Sequence, residues 1–376
     1  MAVKRSASAY KWPKQLNVIA WKNMGEDIVR SWGNLLTADT GMKVHVGGEY
    51  DTVDRFRWLG RLKLFELTAG APSETSQAMM ADLRYAVRDG GPFKIRAAWV
   101  ATKGNAGFFT RGDSKIKKPQ DIKKGTRINK MTYVAATRVV DGLLAWAGVK
   151  PEDIKWVEVK DSDDNWQAVT EGRSDLGFSF PTAPTIAKAE KNPKGLGWID
   201  LNSKLDPAGA KRFREWDPLV TFGPIHSGVK SALGHWGTVG INFEETRADV
   251  DPQFIYNLAK WFDENYDRFK DKHEVNQWRN RETLIEGLRH TFLPCHEGLI
   301  TYLKEIGVWT KAHDIRQKEN EKLVDAYAEG YLECMRQADA KQIWVARESE
   351  EWVKLWNDYR KANLKDIKLF DDLPGA

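Results

Sequence analysis

Two turns in this chain carry residues suited to holding an anion. The first is Trp21-Lys22-Asn23-Met24-Gly25 and the second is Asn129-Lys130-Met131-Thr132-Tyr133. Each follows a short apolar run that reads as a strand, and each precedes a segment with helical spacing. At the amino end of a helix the first N–H groups lack intrahelical partners, and the backbone dipole adds a partial positive charge. Such ends attract carboxylates and phosphates. Thr132 suits an N-cap, with or without a ligand. Lys130 either supplies a counter-charge or faces solvent.

Signals of catalysis are weak. The chain has seven histidines, but neither an HExxH nor a GxSxG pattern. Gly104-Asn105-Ala106-Gly107 lacks the spacing and the following helix of a dinucleotide fingerprint. Asp161, Asp163 and Asp164 stand just before a helix, where caps and first-turn acids account for them. A calcium loop would need oxygen ligands at alternate positions and a closing glutamate. Cys295 and Cys334 have no zinc-type spacing, nothing requires them to pair, and at least one is expected to be buried. No enzyme activity, cofactor or metal is expected.

Seventeen tryptophans are many for 376 residues, and most must fill cores. Trp21, Trp99 and Trp166 are the ones expected near a ligand cleft. Phe178, Phe180, Pro181 and Thr182 end a strand there. Aromatic walls around a few polar anchors are the usual make-up of a small-molecule pocket.

Strands and helices must position these groups. Asn17–Trp21 reads as a strand, and Ile28, Trp32, Leu35 and Leu36 share one helical face before Thr40-Gly41 ends the helix. Met42, Val44 and Val46 alternate as a second strand, Val53, Phe56 and Leu59 mark a helix, and Leu64–Thr68 reads as the third strand. Phe93, Ile95, Ala97, Trp99 and Ala101 alternate again. A second set follows: a strand at 126–128, a helix with Ala136, Val140, Leu143, Leu144 and Ala147 on one face, then strands at 156–159 and 176–180. Thr238–Phe243 reads as a strand returning to the first set. Strands separated by helices imply parallel pairing through crossovers.

Several pieces resemble the TAXI family, whose members are solute-binding proteins of TRAP transporters. They are Ile122-Lys123-Lys124-Gly125, Gly142-Leu143-Leu144-Ala145-Trp146-Ala147-Gly148, Glu171-Gly172-Arg173-Ser174-Asp175-Leu176-Gly177-Phe178 and Ala183-Pro184-Thr185. Leu293–Glu305, with its histidine-containing turn, fits the same pattern. The resemblance implies an α/β, two-lobed type II periplasmic-binding-protein fold with an interlobe cleft. Residues 1–103 plus 236–376 would form lobe one and 104–235 lobe two, joined by at least two crossing segments. The tail beyond Trp309 reads as a helical C-terminal extension longer than the family carries.

The resemblance also implies a function. The protein would bind a small organic anion, a carboxylate, in the cleft and deliver it to TRAP membrane subunits. A sensory module or, less naturally, an enzyme on the same scaffold are the rivals. The departures from the family matter. It has a glycine- and serine-rich turn where this chain has Asn129–Tyr133. After the second strand it has Gly-Ser and then asparagine, where this chain has Tyr50-Asp51-Thr52-Val53-Asp54-Arg55. An arginine fork at 55 can hold a carboxylate by two bonds; the plainer alternative is an ion pair with Asp51 or Asp54.

The bulk numbers agree with a solute receptor. Fifty-eight basic and 53 acidic residues leave +5, and the charges are interspersed, so no basic stripe for nucleic acid stands out. Lys115–Lys124 reads as a solvated loop. No apolar stretch reaches the eighteen or so residues a membrane span needs. The start of the chain has no secretory core, so on the periplasmic reading Met1 stands where a leader was removed; a cytoplasmic chain is the alternative. A monomer is expected.

Overall fold

The computed structural model describes residues 10–131, 134–370 and 372–375. The chain opens with β1 (Gln15–Trp21), α1 (Met24–Thr40), β2 (Lys43–Glu49), α2 (Thr52–Leu59), β3 (Leu67–Gly70) and α3 (Pro72–Met80). β1 pairs in parallel with β2 and β3. Gly41 closes α1 in the left-handed region at φ 75°, its N–H donating to Thr37, as the glycine at that point of the sequence implies. The third strand starts three residues later than the alternation suggests. Leu64 cannot join the ladder, because its N–H closes the turn after α2 on the Trp58 carbonyl.

β4 (Ile95–Arg111) is seventeen residues long, and its first seven are buried on both faces. Next come β5 (Arg127–Lys130), α4 (Val134–Ala147), β6 (Lys155–Glu158), α5 (Ser162–Thr170), β7 (Leu176–Ser179), α6 (Pro184–Ala189), β8 (Leu196–Trp198), α7 (Pro207–Arg214), β9 (Thr221–Pro224) and β10 (Trp236–Arg247). β5 pairs in parallel with β6 and β7. The strand order is β2-β1-β3-β10-β4-β7-β5-β6, with β8 on β4 and β9 on β10.

Two strands therefore run through the middle of the molecule. β10 lies antiparallel to β4 from Ile95↔Arg247 to Ala106↔Thr238, with two register shifts that bend it. Beyond that point β4 continues, and Gly107–Thr110 pair with β7. The two halves share β4 rather than owning separate sheets, so hydrogen bonding is continuous between them. Their apolar cores are distinct. One gathers Trp32, Phe56, Trp99, Phe262 and Tyr331. A second holds Phe108, Leu143, Trp146 and Phe213, and a third Phe109, Ile186 and Trp198. Two lobes result, one around the first core and one around the other two.

The chain after β10 is helical: α8 (Pro252–Glu264), α9 (Tyr266–Phe269), α10 (Arg281–His290), α11 (Glu297–Glu305), α12 (Lys311–Ala340) and α13 (Glu350–Asn363). No helix among the described residues is long and apolar enough to cross a membrane. Cys295 and Cys334 are both buried and unpaired. The extension α12–α13 folds back on the first lobe. Trp356 Nε1 donates to Met80 O at 2.7 Å, Trp352 Nε1 to Ala86 O at 3.0 Å and Tyr331 OH to Val87 O at 2.9 Å. The Tyr331 ring packs edge to face on both tryptophans. Segment 80–87 is thus fixed from behind by aromatic side chains that also fill the core.

Trp356→Ala would remove a fully buried ring and its bond to Met80. The expected cost is about 3–5 kcal/mol of unfolding free energy, read from the midpoint of a urea titration.

Candidate functional site

The lobes meet where the loops after the strands converge. Trp21 ends β1, and its ring meets the edge of Phe180, just beyond β7, at 5.5 Å between centroids. The turn that carries Phe180 is held from below: Ala183 N–H donates to Phe180 O, and Val229 N–H donates to Pro181 O. Gly228 permits that second approach. It sits at φ 103°, and a Cβ there would lie 2.4 Å from the Pro181 carbonyl. Two more contacts tie the lobes: Ser73 Oγ donates to Asp217 at 2.8 Å, and Arg138 of α4 donates to Asp82 at 2.8 Å.

In the turn after β1 the Asn23 N–H is already taken. Asn23 sits at φ 68°, and its N–H donates to Glu26, which faces back along the first turn of α1. That hydrogen bond holds the Glu26 carboxyl below its ordinary range. The helix end thus already has its own anion. Asn23 Nδ2 donates to the Tyr50 hydroxyl, Lys22 lies over the Tyr50 ring, and Tyr50 itself is exposed. Met24 opens α1. Asp51 caps α2 by accepting from Val53 N–H and pairs with Arg84.

Arg55 is not a free counter-ion facing the cleft, nor does it pair with Asp51 or Asp54. It is 1% exposed and donates to both oxygens of Glu74 at 3.1 Å and to Ala69 O at 3.2 Å. Thr52 Oγ1 donates to the same carboxylate. A buried cation without a partner is too costly to keep, and the partner comes from α3, which sequence spacing could not reveal. The guanidinium lies 5.3 Å from the Trp21 ring. Two N–H groups at this place, Arg55 Nε and Trp21 Nε1, are buried with no partner among the described residues.

The cluster extends to Glu245 on β10, which is also fully buried. Burial pushes its carboxyl well above the usual range, and Thr75 Oγ1 donates to it at 2.6 Å. Gly70 makes room for it, since a Cβ there would sit 2.1 Å from Glu245 Oε2. A cavity of about 550 Å³ beside the hinge shares Thr75 and Glu245 with this cluster and reaches Phe243, Leu219 and Phe370. That volume suits a small molecule.

The remaining expected residues divide. Pro181 is buried and Thr182 half-buried at the junction, and Met131 packs against the second core. Lys130 is exposed and paired with Glu158 at 3.0 Å, so its charge is met within its own lobe. Trp166 packs on the third core and donates to Asp163 on its own helix. Trp99 is a correction: it is wholly buried in the first core, between Phe262 and Tyr302, with Nε1 on Arg279 O. β4 is covered on both faces there, so no side of it reaches the junction. Thr132 and Tyr133 lie outside the described residues. Sequence reasoning missed Glu74, Ser73, Asp82, Arg138 and Asp217. Arg138 stands off the apolar stripe of its helix, a sign of exposure or pairing that names no partner. Among the described residues, no group of three or more His, Cys, Asp or Glu could hold a metal.

A family model described as the NMT1-like family matches residues 60–307. No curated protein matches the chain. Among solved structures, the chain is similar to the periplasmic aliphatic sulphonate binding protein SsuA from Escherichia coli, at 13% identity and a TM-score of 0.45, over 86% of this chain and 88% of that one. A ligand-binding component of an ABC-type import system from Staphylococcus aureus gives 10%, 0.43, 82% and 99% in the same order. The alkanesulfonate-binding SsuA from Xanthomonas axonopodis pv. citri gives 12%, 0.40, 89% and 96%. At these identities nothing about a solute transfers to this chain.

Two outcomes follow from the geometry. Arg55→Ala strips one partner from a buried pair and should cost about 3–5 kcal/mol in chemical denaturation, whereas an arginine in a wet cleft would cost little. Asp217 is buried, and burial pushes its carboxyl up to about 6. A proton is then retained by the folded chain after the unfolded chain has lost it. Stability contributed by the protonated form is full below about pH 4 and is lost as pH rises through about 6, by roughly 3 kcal/mol. Asp217→Asn should therefore gain on the parent by that amount between pH 4 and 7 in urea titrations.

Proposed function

The chain belongs to the NMT1-like family, and on that footing we propose that it is an extracytoplasmic solute receptor. It binds a small organic acid where the two lobes meet and hands it to membrane subunits of a transporter. The observation that carries this reading is the convergence of the strand-end loops of both lobes, Trp21 against Phe180, over a hinge of two strands. Ligands of open α/β sheets bind at strand carboxyl ends. Two unpartnered buried donors, Arg55 Nε and Trp21 Nε1, stand at that place. A carboxylate oxygen would supply the acceptor they lack. Arg55 then acts through a hydrogen bond, since Glu74 already balances its charge. Phe180, Pro181 and Thr182 form the opposite wall.

Closure about β4 and β10 would add the Trp21–Phe180, Ser73–Asp217 and Arg138–Asp82 contacts together, which is how a ligand selects a closed state. We place the lobe boundaries at 103/104 and 235/236. The TAXI-like pieces at 122–125, 142–148, 171–178 and 183–185 support a TRAP-type membrane partner, and with it a periplasmic location.

A panel of mono- and dicarboxylates tests the reading. A true ligand should change tryptophan emission and raise the melting temperature, with ~2.7 kcal/mol of stabilisation at a hundredfold excess over Kd. Trp21→Ala should remove most of both responses. A broad panel that moves neither signal in the parent sinks the proposal.

A further inference from the structure

A second space of about 620 Å³ lies away from the Trp21–Phe180 contact, where α13, segment 82–86 and α4 come together. Its charged lining is Asp82, Arg84, Arg138, Arg347, Arg360 and Lys361. Even with Asp51, which holds Arg84, and Glu348, which holds Arg347, five cations face three carboxylates. An excess of positive charge in a concave site draws anions to it.

The lining is also ordered in advance. Asp82 is nearly buried and receives Arg138 on one oxygen at 2.8 Å and Arg360 on the other at 3.1 Å. Arg360 is further fixed by Met80 O and Asn357, and the Arg138 guanidinium lies over the Trp216 ring. Arg138 Nε–H is buried and has no partner among the described residues. Three arginines from three separate elements therefore converge with their planes already set. A planar carboxylate offers acceptors in one plane only, whereas a tetrahedral oxyanion accepts from several directions, and guanidinium forks match its paired oxygens.

We propose that this groove binds a phosphate-bearing polyanion, separately from the interlobe solute. Arg347, Arg360 and Lys361 lie beyond the 60–307 span of the family match, so the extension supplies three of the five cations. Arg138 belongs to one lobe, and Arg84 and Arg360 to the other. The bound anion thus bridges the lobes beside the Asp82–Arg138 contact and favours their closed arrangement.

The test is isothermal titration and thermal shift with inorganic pyrophosphate, against sodium chloride and citrate at matched ionic strength. The expected result is saturable pyrophosphate binding that chloride does not reproduce and that citrate reproduces only weakly. Arg347→Gln with Lys361→Gln changes two exposed side chains, so the fold should persist. Loss of two charged donors should weaken pyrophosphate by about tenfold or more. Trp21→Ala should leave pyrophosphate binding intact, which separates this site from the solute site. The proposal is overturned if pyrophosphate acts only as chloride does, if citrate binds as tightly, if the double variant binds like the parent, or if Trp21→Ala abolishes binding.

Discussion

The ladder between β4 and β10 is the constraint on which the rest of the molecule depends. Twelve residues of one strand and ten of the other run antiparallel through the centre, from Ile95↔Arg247 to Ala106↔Thr238. Their outer reaches serve the two lobes in turn. β10 takes β3 on one side and β9 further along, while β4 takes β7 and β8. This shared ribbon joins the two apolar cores. Its register shifts at Asn242/Phe243 and Glu244/Glu245 fall on the part of the ribbon that pairs with the first lobe's sheet. A bulge increases local twist, and the ordinary alternation of a strand aims successive side chains to opposite faces.

That aim explains the buried charges. Glu244 turns to one face of the sheet and meets Arg279, and Glu245 turns to the other and meets Thr75. On the second face Glu74 and Arg55 form their own pair. Each solution differs because each group leaves water in different company. Arg55 and Glu74 neutralise one another. Glu245 has a hydroxyl as its hydrogen-bond partner, and burial, with further acids nearby, pushes its carboxyl well above the usual range. The outcome is a strongly polar cluster beneath the junction, with donors left over at Arg55 and Trp21.

The helical extension acts on the same junction from outside. Trp352, Trp356 and Tyr331 hold the backbone carbonyls of 80–87. That segment has no regular ladder of its own, and without Trp352 the Ala86 carbonyl would need water or another partner. Fixing it sets Asp82 and Arg84 where α4 and Asp51 can reach them. A tail that reads in sequence as charged helix is thereby coupled to the contact between lobes.

How much of this was legible in the sequence depended on range. Periodicity and glycine position depend on neighbours a few residues apart, so the α/β order, the end of α1 at Gly41 and the helix ending before Gly148 could be read directly. So could the capping role of Asp161 and Asp164, which satisfy N–H groups within four residues. Trp21 and Phe180 come into contact because strand ends carry them together. The burial of Trp99 was not legible, because alternation cannot distinguish a strand covered on one face from one covered on both. Spacing left Arg55 open between a ligand and Asp51 or Asp54, and Lys130 open between a ligand and solvent, because their partners Glu74 and Glu158 lie on other elements. The amino-acid sequence determined which segments become strands and helices and which residues stand at their ends. Only the tertiary structure decided which charges neutralise one another, since the Coulomb and desolvation terms that settle it act between groups brought together by packing and not by spacing.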